Sequence, residues 1–109
     1  MKVLVTGGAG YIGSTIATAL EAAEHTPVIL DSLVTGPRQF AAGRIFYEAD
    51  IADRAVLRRI VDEHPEIACT IHCAASIVVP ESVAKPYAYY RNNVAKSLEL
   101  FDALVELGR

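Results

Sequence analysis

Residues 3–13 read Val-Leu-Val-Thr-Gly-Gly-Ala-Gly-Tyr-Ile-Gly, and the predicted fold follows from these residues. Its apolar beginning, Val3 to Val5, is typical of a strand that is buried on both faces, and helix-forming residues follow Gly13 at once. The glycines between them allow a tight turn and leave no Cβ in the way of a ligand. The stretch therefore predicts a strand, a turn and a helix whose N-terminus can receive phosphate groups, which is the pattern of dinucleotide binding.

A carboxylate follows this turn at a suitable distance. The apolar run Val28 to Leu30 predicts a second buried strand, and Asp31 ends it roughly 20 positions after Gly13. A carboxylate at that place accepts a hydrogen bond from the 2′-hydroxyl of an adenosine ribose and repels a 2′-phosphate. The two features together predict NAD rather than NADP as the cofactor. A glycine-rich turn followed by a capping Asp is the purely structural alternative.

The rest of the chain continues the alternation of strands and helices. The predicted strands cover 2–6, 28–31, 44–49 and 67–73, and the predicted helices cover 11–23, 54–64 and 85–107. We expect Asp53 and Ser82 to cap the second and third helices, Pro65 to end the second, and a helical turn near Arg38–Ala42. The apolar stripes expected to face the sheet are Ile12, Ile16, Ala19, Leu20 and Ala23 in the first helix, and Val94, Leu98, Phe101, Leu104 and Val105 in the last.

This order of elements indicates an α/β fold with a doubly wound parallel sheet. Four strands and about three helices make up the first half of a Rossmann-like domain, and no second β-α-β half follows them. Residues 1–109 are therefore interpreted as the N-terminal portion of a nucleotide-binding domain.

Composition narrows the class of protein further. Of the 109 residues, 52% are hydrophobic and 21% are charged, which suffices for a packed core, and the net charge of −3 without a basic run argues against nucleic acid as a partner. The apolar runs are too short for a membrane span of ~20 residues. Met1-Lys2 leads directly into the first predicted strand, so we expect no signal peptide and a cytoplasmic location.

Cys69 and Cys73 are interpreted as reduced thiols rather than metal ligands.

Several polar or small residues fall at the predicted strand ends or inside the last helix. Asp50 follows the third strand and either reaches an adenine amino group or caps a turn. Ala74-Ala75 follow the fourth strand and are small enough to let a cofactor lie against the backbone. His72, inside that strand, is interpreted as a hydrogen-bonded core histidine. Asn92-Asn93 disfavour a helix interior and face either the cofactor cleft or solvent.

These motifs together resemble the extended short-chain dehydrogenase/reductases. The glycine motif is common to that superfamily, whereas the stretch from Glu81 to Val94 is similar to its UDP-sugar 4-epimerase branch. One residue departs from the branch, because Ile77 stands where such enzymes often have Lys. The stretches that carry the resemblance are Thr6 to Gly13, Asp31-Ser32-Leu33, Asp50-Ile51, His72 to Ala75, Glu81-Ser82-Val83, Lys85-Pro86 and Tyr89 to Val94.

The resemblance implies an NAD site and, for the complete protein, a UDP-sugar substrate (UDP-glucose or UDP-galactose) and a homodimer. The family's catalytic Tyr-x-x-x-Lys is absent from this sequence, so no catalytic residue is assigned. Another sugar-nucleotide enzyme, such as a dehydratase or decarboxylase, and a non-catalytic NAD-binding module are the alternatives. The implied cofactor contacts are Gly7, Gly10, Tyr11, Ile12 and Gly13 at the pyrophosphate, Asp31, Ser32, Leu33, Thr35 and Gly36 at the adenosine, Asp50 and Ile51 at the adenine, and Cys73, Ala74, Ala75 and Asn92 along the floor and the last helix.

Overall fold

The structure is a computed structural model that describes residues 1–34, 37–74 and 83–108. The strands are β1 (Lys2–Thr6), β2 (Thr26–Asp31), β3 (Ile45–Glu48) and β4 (Ile67–His72). The helices are α1 (Tyr11–Ala22), α2 (Arg54–Glu63), α3 (Pro86–Tyr90) and α4 (Lys96–Glu106), with a 3-10 turn at Arg38–Ala41 and a π-helical turn at Arg91–Ala95. The predicted contacts Thr35, Gly36 and Ala75 and the predicted cap Ser82 lie outside the described residues.

The strands form one parallel sheet in the order β3-β2-β1-β4. β1 is central, and its alternate side chains enter two separate cores. Leu4 packs with Leu57 of α2 and Leu100 of α4, whereas Val5 packs on the other face with Ala17 of α1. Helices therefore cover both faces of a parallel sheet, which confirms the predicted α/β, Rossmann-like class.

β2 begins two residues before the predicted start at Val28, since Thr26 and Pro27 belong to the strand and Pro27 is in register with Val3. Thr26 N–H donates to the Met1 carbonyl on the β1 side at 2.9 Å. The nitrogen of Pro27 consequently faces the β3 side, where pairing starts only at Val28. The missing N–H of proline removes no ladder hydrogen bond at that place, so the strand tolerates it.

The stripe predicted for α1 is partly wrong. The buried residues of α1 are Gly13 and Ala17, with Ile16 and Leu20 half-buried beside them. The predicted members Ile12, Ala19 and Ala23 are exposed. Small residues let the helix lie close to the sheet. A prediction from apolar periodicity alone favours large apolar residues and therefore misses them.

The stripe predicted for the last helix is also wrong, apart from Leu104. The residues of α4 that are buried against the sheet are Ser97, Leu100, Ala103 and Leu104. Leu98, Phe101 and Val105 are exposed, as is Val94 of the π turn. The helix carries two apolar stripes, and its sequence does not say which one the sheet covers.

The last helical segment is not the single α-helix predicted over 85–107. A π turn at Arg91–Ala95 separates α3 from α4, and it contains both Asn92 and Asn93. A π turn accommodates one extra residue and changes the direction of the side chains that follow it. Asparagine's poor fit to a regular helix interior agrees with this interruption.

The second helix behaves as predicted. Asp53 is the N-cap of α2, and its side chain accepts the Val56 N–H at 3.2 Å.

Across residues 1–34, 37–74 and 83–108, every helix is too short or too polar to cross a membrane. The same residues contain no cluster of three His, Cys, Asp or Glu side chains suited to a metal ion.

Candidate functional site

A cavity of about 310 Å³ lies at the carboxyl ends of the parallel strands. This is the edge of an open α/β sheet where ligands bind. Its described lining residues are Gly7, Gly10, Tyr11, Ile12, Gly13, Asp31, Ser32, Val34, Ala49, Asp50, Ile51, Cys73, Ala74 and Asn92.

The glycine turn forms one wall of the cavity and requires its glycines. Gly7 has a φ of +66°, and a Cβ there would lie 2.7 Å from the backbone nitrogen of Ala74. A Cβ on Gly13 would lie 2.1 Å from the Gly7 carbonyl oxygen, so no larger residue fits where α1 leaves the turn. Gly10 is the N-cap of α1 and has no side chain to cap it. The first-turn N–H groups of α1 therefore stay available to an anion.

Asp31 connects the end of β2 to this turn. Its side chain is nearly buried, at 9% exposure. Oδ2 accepts the Ala9 N–H at 3.0 Å, and Oδ1 accepts the Leu33 N–H at 2.7 Å. A carboxylate has about four lone-pair sites, so both oxygens keep acceptor capacity toward the cavity that Asp31 lines.

A chain of polar side chains supports the floor of the cavity. The Thr6 hydroxyl accepts the N–H groups of Cys73 and Ala74 at 3.1 and 3.3 Å, so its own hydrogen goes to Nδ1 of His72. His72 Nε2 then carries the ring proton and donates to the Ser97 hydroxyl of α4 at 2.8 Å. Burial lowers the pKa of His72 below its usual value, which keeps the ring in this neutral form. The prediction that His72 is hydrogen-bonded is confirmed at both ring nitrogens, but the residue is half-buried and lies outside the two cores.

Asp50 lines the cavity just beyond the end of β3. Oδ1 accepts the Ala52 N–H at 2.8 Å, and Oδ2 accepts a hydrogen bond from the ammonium group of Lys96 in α4. Partial burial by itself raises the pKa of Asp50, but these hydrogen bonds and the charges of Lys96 and Arg91 outweigh it and lower the pKa. Asp50 therefore both closes a turn and presents a carboxylate to the cavity.

The structure brings together nearly all of the described residues that were predicted for the site. Leu33 is the exception, because its side chain packs against the core on the α1 side of the sheet instead of lining the cavity. Ala49 and Val34 line the cavity but were not singled out from the sequence. The available signal was that Ala49 precedes Asp50 and that Val34 comes two positions after Ser32, since neighbours of a strand end share its edge.

The charges of the lining favour a ribose with a free 2′-hydroxyl over a ribose that carries a 2′-phosphate. Asp31 and Asp50 are the charged members of the described lining, and none of those residues is Lys or Arg. A phosphate placed beside Asp31 would meet a carboxylate without a compensating cation. On the wall formed by the glycine turn, an anion can be bound by backbone N–H groups and by the dipole of α1.

The NAD dependent epimerase/dehydratase family matches residues 3–109, nearly the whole chain. The chain belongs to the NAD dependent epimerase/dehydratase family. The family assignment agrees with the resemblance that the glycine motif and the stretch from Glu81 to Val94 suggested.

Three relatives of this chain are named UDP-glucose 4-epimerases. A UDP-glucose 4-epimerase of Azospirillum brasilense is 45% identical over 98% of this chain and 31% of its own length. A UDP-glucose 4-epimerase structure from Stenotrophomonas maltophila, with bound NAD and formylated UDP-arabinopyranose, superimposes with a TM-score of 0.92 at 36% identity over 99% of this chain and 34% of that one. A UDP-glucose 4-epimerase from Brucella ovis in complex with NAD has a TM-score of 0.88 at 43% identity, over 94% and 31% of the two chains. This chain thus spans about a third of the length of these relatives.

Proposed function

We propose that this chain is the NAD-binding, N-terminal part of a UDP-sugar 4-epimerase that interconverts UDP-glucose and UDP-galactose. The observation that carries the proposal is that one cavity joins the glycine turn, the N-terminus of α1 and the carboxylate of Asp31. The names of the family relatives support the choice of reaction. The rest of the nucleotide-binding domain and the substrate domain belong, in this proposal, to sequence outside these residues.

The residues present fit NAD. The turn is a cradle that a Cβ on Gly7 or Gly13 would fill, so backbone N–H groups of the turn and of Tyr11 and Ile12 can approach a pyrophosphate. Asp31, already oriented by two N–H donors, accepts the 2′-hydroxyl of the adenosine ribose. The remaining contacts proposed are Ser32, Thr35 and Gly36 beside the adenosine, Asp50 and Ile51 at the adenine, and Cys73, Ala74, Ala75 and Asn92 along the floor.

In this proposal, the residues of this chain bind and orient NAD and transfer no proton. Bound NAD⁺ supplies a reversible hydride acceptor for the sugar carbon. The floor at Cys73 and Ala74 is held by the Thr6 hydroxyl and is small enough for a flat ring to lie against it. The acid–base pair, a Tyr-x-x-x-Lys, is not present in the 109 residues and is assigned to the remainder of the enzyme.

We also propose that the complete enzyme is a homodimer. Six exposed side chains follow one another along the last helical segment and form what we call the apolar face, namely Tyr87, Tyr90, Val94, Leu98, Phe101 and Val105. Exposed apolar side chains grouped along one helical segment are typical of an interface. The proposal places the protein in the cytoplasm, and the free thiols of Cys69 and Cys73 support this because cysteines stay reduced there.

The decisive experiment is an assay of the full-length protein on UDP-glucose, UDP-galactose and dTDP-glucose. The proposal expects interconversion of the two UDP-sugars with NAD bound to the protein. Conversion of dTDP-glucose to a dehydrated product without epimerisation would instead identify another sugar-nucleotide enzyme. NAD binding with no turnover of any substrate would indicate a non-catalytic module.

A further inference from the structure

Lys96 makes a contact that the proposed function does not account for. It is the first residue of α4, and its ammonium group pairs with Oδ2 of Asp50, which lies just beyond β3. The Lys96 side chain is 27% exposed and that of Asp50 is 43% exposed, so water screens the pair only in part. This ion pair connects the last helix directly to the lining of the cavity.

The two hydrogen bonds of Asp50 leave its carboxylate little freedom to turn. Oδ1 is held by the Ala52 N–H at 2.8 Å, and Oδ2 is held by Lys96. With a donor on each oxygen, the plane of the group is defined before any ligand arrives. Such preorganisation lowers the entropy that binding has to overcome.

The position of Lys96 depends on the irregular turn before it. The π turn Arg91–Ala95 ends at the residue preceding Lys96, and the same turn contains Asn92, which lines the cavity. One inserted residue rotates all later side chains by roughly 100° around the helix axis. The turn therefore determines which residue of α4 meets Asp50.

The charge state of Asp50 defines what this group can recognise. The hydrogen bonds and the nearby Lys96 and Arg91 charges lower its pKa despite partial burial, so it is a carboxylate at neutral pH. An ionised carboxylate accepts hydrogen bonds and donates none. A base with an exocyclic amino group satisfies it, whereas a keto oxygen in the same place would repel it.

We propose that Lys96 is a positioning residue of the dinucleotide site: by holding Oδ2 of Asp50 it fixes the acceptor presented to the base and selects an amino-bearing base over a keto-bearing one. The inference rests on the proposed function, because it assumes that the cavity holds a dinucleotide. Lys96 acts through Asp50 and does not itself contact the ligand.

A ratio of two affinities tests this inference. The full-length protein is titrated with NAD and with its hypoxanthine analogue, in which a keto group replaces the amino group of adenine. Both ligands carry the same pyrophosphate, so a general effect of charge on phosphate binding cancels in the ratio. We expect the wild type to prefer NAD by roughly tenfold and Lys96→Met to lower the preference to about threefold or less. Lys96→Arg should restore most of it.

Two further variants serve as controls. Lys2→Met removes the same charge at the opposite end of β1, where Lys2 pairs with Glu66, and it should leave the preference unchanged. Asp50→Asn should abolish the preference, and Lys96→Met should have no additional effect in that background, as a double-mutant cycle requires. Thermal melting of each variant reports whether it is folded, and Lys96→Gln replaces Lys96→Met should the latter unfold.

Three outcomes are distinguishable. An equal loss of affinity for both ligands in Lys96→Met would overturn the positioning role and leave only an effect of charge. An unchanged affinity for both would overturn it as well. Failure of the wild type to bind NAD at all would instead contradict the proposed function, independently of Lys96.

Discussion

The carboxylate of Asp31 accepts the backbone N–H of Ala9 at 3.0 Å, and this contact joins the end of β2 to the glycine turn. The other carboxylate oxygen accepts the Leu33 N–H at 2.7 Å. Asp31 thus holds the glycine turn and the residues that follow β2 in place and, in the proposed function, also binds the ribose. A variant of Asp31 that tests ribose binding must therefore keep an acceptor for the Ala9 N–H.

Asp31→Asn keeps an acceptor for the Ala9 N–H but removes the charge. We expect NAD affinity to fall by roughly tenfold or more, because a hydrogen bond to an ionised acceptor is stronger than one to an amide. NADP affinity should fall less or rise, since the carboxylate no longer repels the 2′-phosphate. Titration of the full-length protein with both cofactors measures this. Asp62→Asn, at an exposed position of α2, is the matched control, and equal losses for NAD and NADP would contradict the ribose assignment.

Gly13→Ala should destabilise the fold more than Gly10→Ala. The new Cβ would lie 2.1 Å from the Gly7 carbonyl oxygen in the first variant and 3.2 Å from it in the second. Overpacking of this kind costs roughly 1–3 kcal/mol, and at Gly13 the obstacle is backbone that has little room to yield. Urea unfolding of both variants tests the order. Similar unfolding free energies would show that α1 shifts to accommodate the methyl group.

The stability of the protein should depend on pH through His72. Burial lowers the pKa of His72 in the folded state, so below about pH 6.5 the unfolded chain binds a proton that the folded chain does not. Stability is therefore complete above that pH and is lost as the pH falls through it. Urea unfolding at pH 7.5 and pH 5.5 should show a smaller difference for His72→Gln than for the wild type. An identical difference in both proteins would argue against this cause.

Leu98→Glu should convert the proposed homodimer into a monomer that remains folded. Leu98 is 61% exposed in the middle of the apolar face, so a carboxylate there opposes burial against a second copy without disturbing the core. Light scattering coupled to size-exclusion chromatography measures the mass. Ala55→Glu adds the same charge on the exposed side of α2 and should leave the dimer intact. A dimer that survives Leu98→Glu would place the interface elsewhere.

The 109 residues alone should show no epimerase turnover, because they hold no Tyr-x-x-x-Lys pair to move the substrate proton. The assay follows UDP-galactose in the presence of NAD, with the full-length protein as the positive control. Measurable conversion by the 109-residue chain would mean that the acid–base residues lie within it. That result would refute the assignment of the acid–base pair to the remainder of the enzyme.

Local patterns determined much of the fold. A run such as Val3-Leu4-Val5 is typical of a parallel strand buried on both faces, and glycines at 7 and 13 are the residues that a tight strand–turn–helix junction tolerates. Asp31 and Asp53 were assigned from spacing and from capping preference, and the structure brings Asp31 to the cavity and Asp53 to the N-cap of α2. These features depend on residues close together in sequence.

Tertiary structure decided what depends on distant partners. The sequence could not say that Leu100 rather than Leu98 would meet the sheet, because both lie on apolar stripes of one helix and packing against Leu4 selects between them. Nor could it predict the π turn or the pairing of Lys96 with Asp50, since that contact joins residues 46 positions apart. Local sterics and strand periodicity specify the glycine turn, the acidic strand end and the parallel sheet, so these features follow from the sequence alone. Only the folded chain decided which helix face is covered and which cation orients Asp50, because those depend on where the elements meet in space.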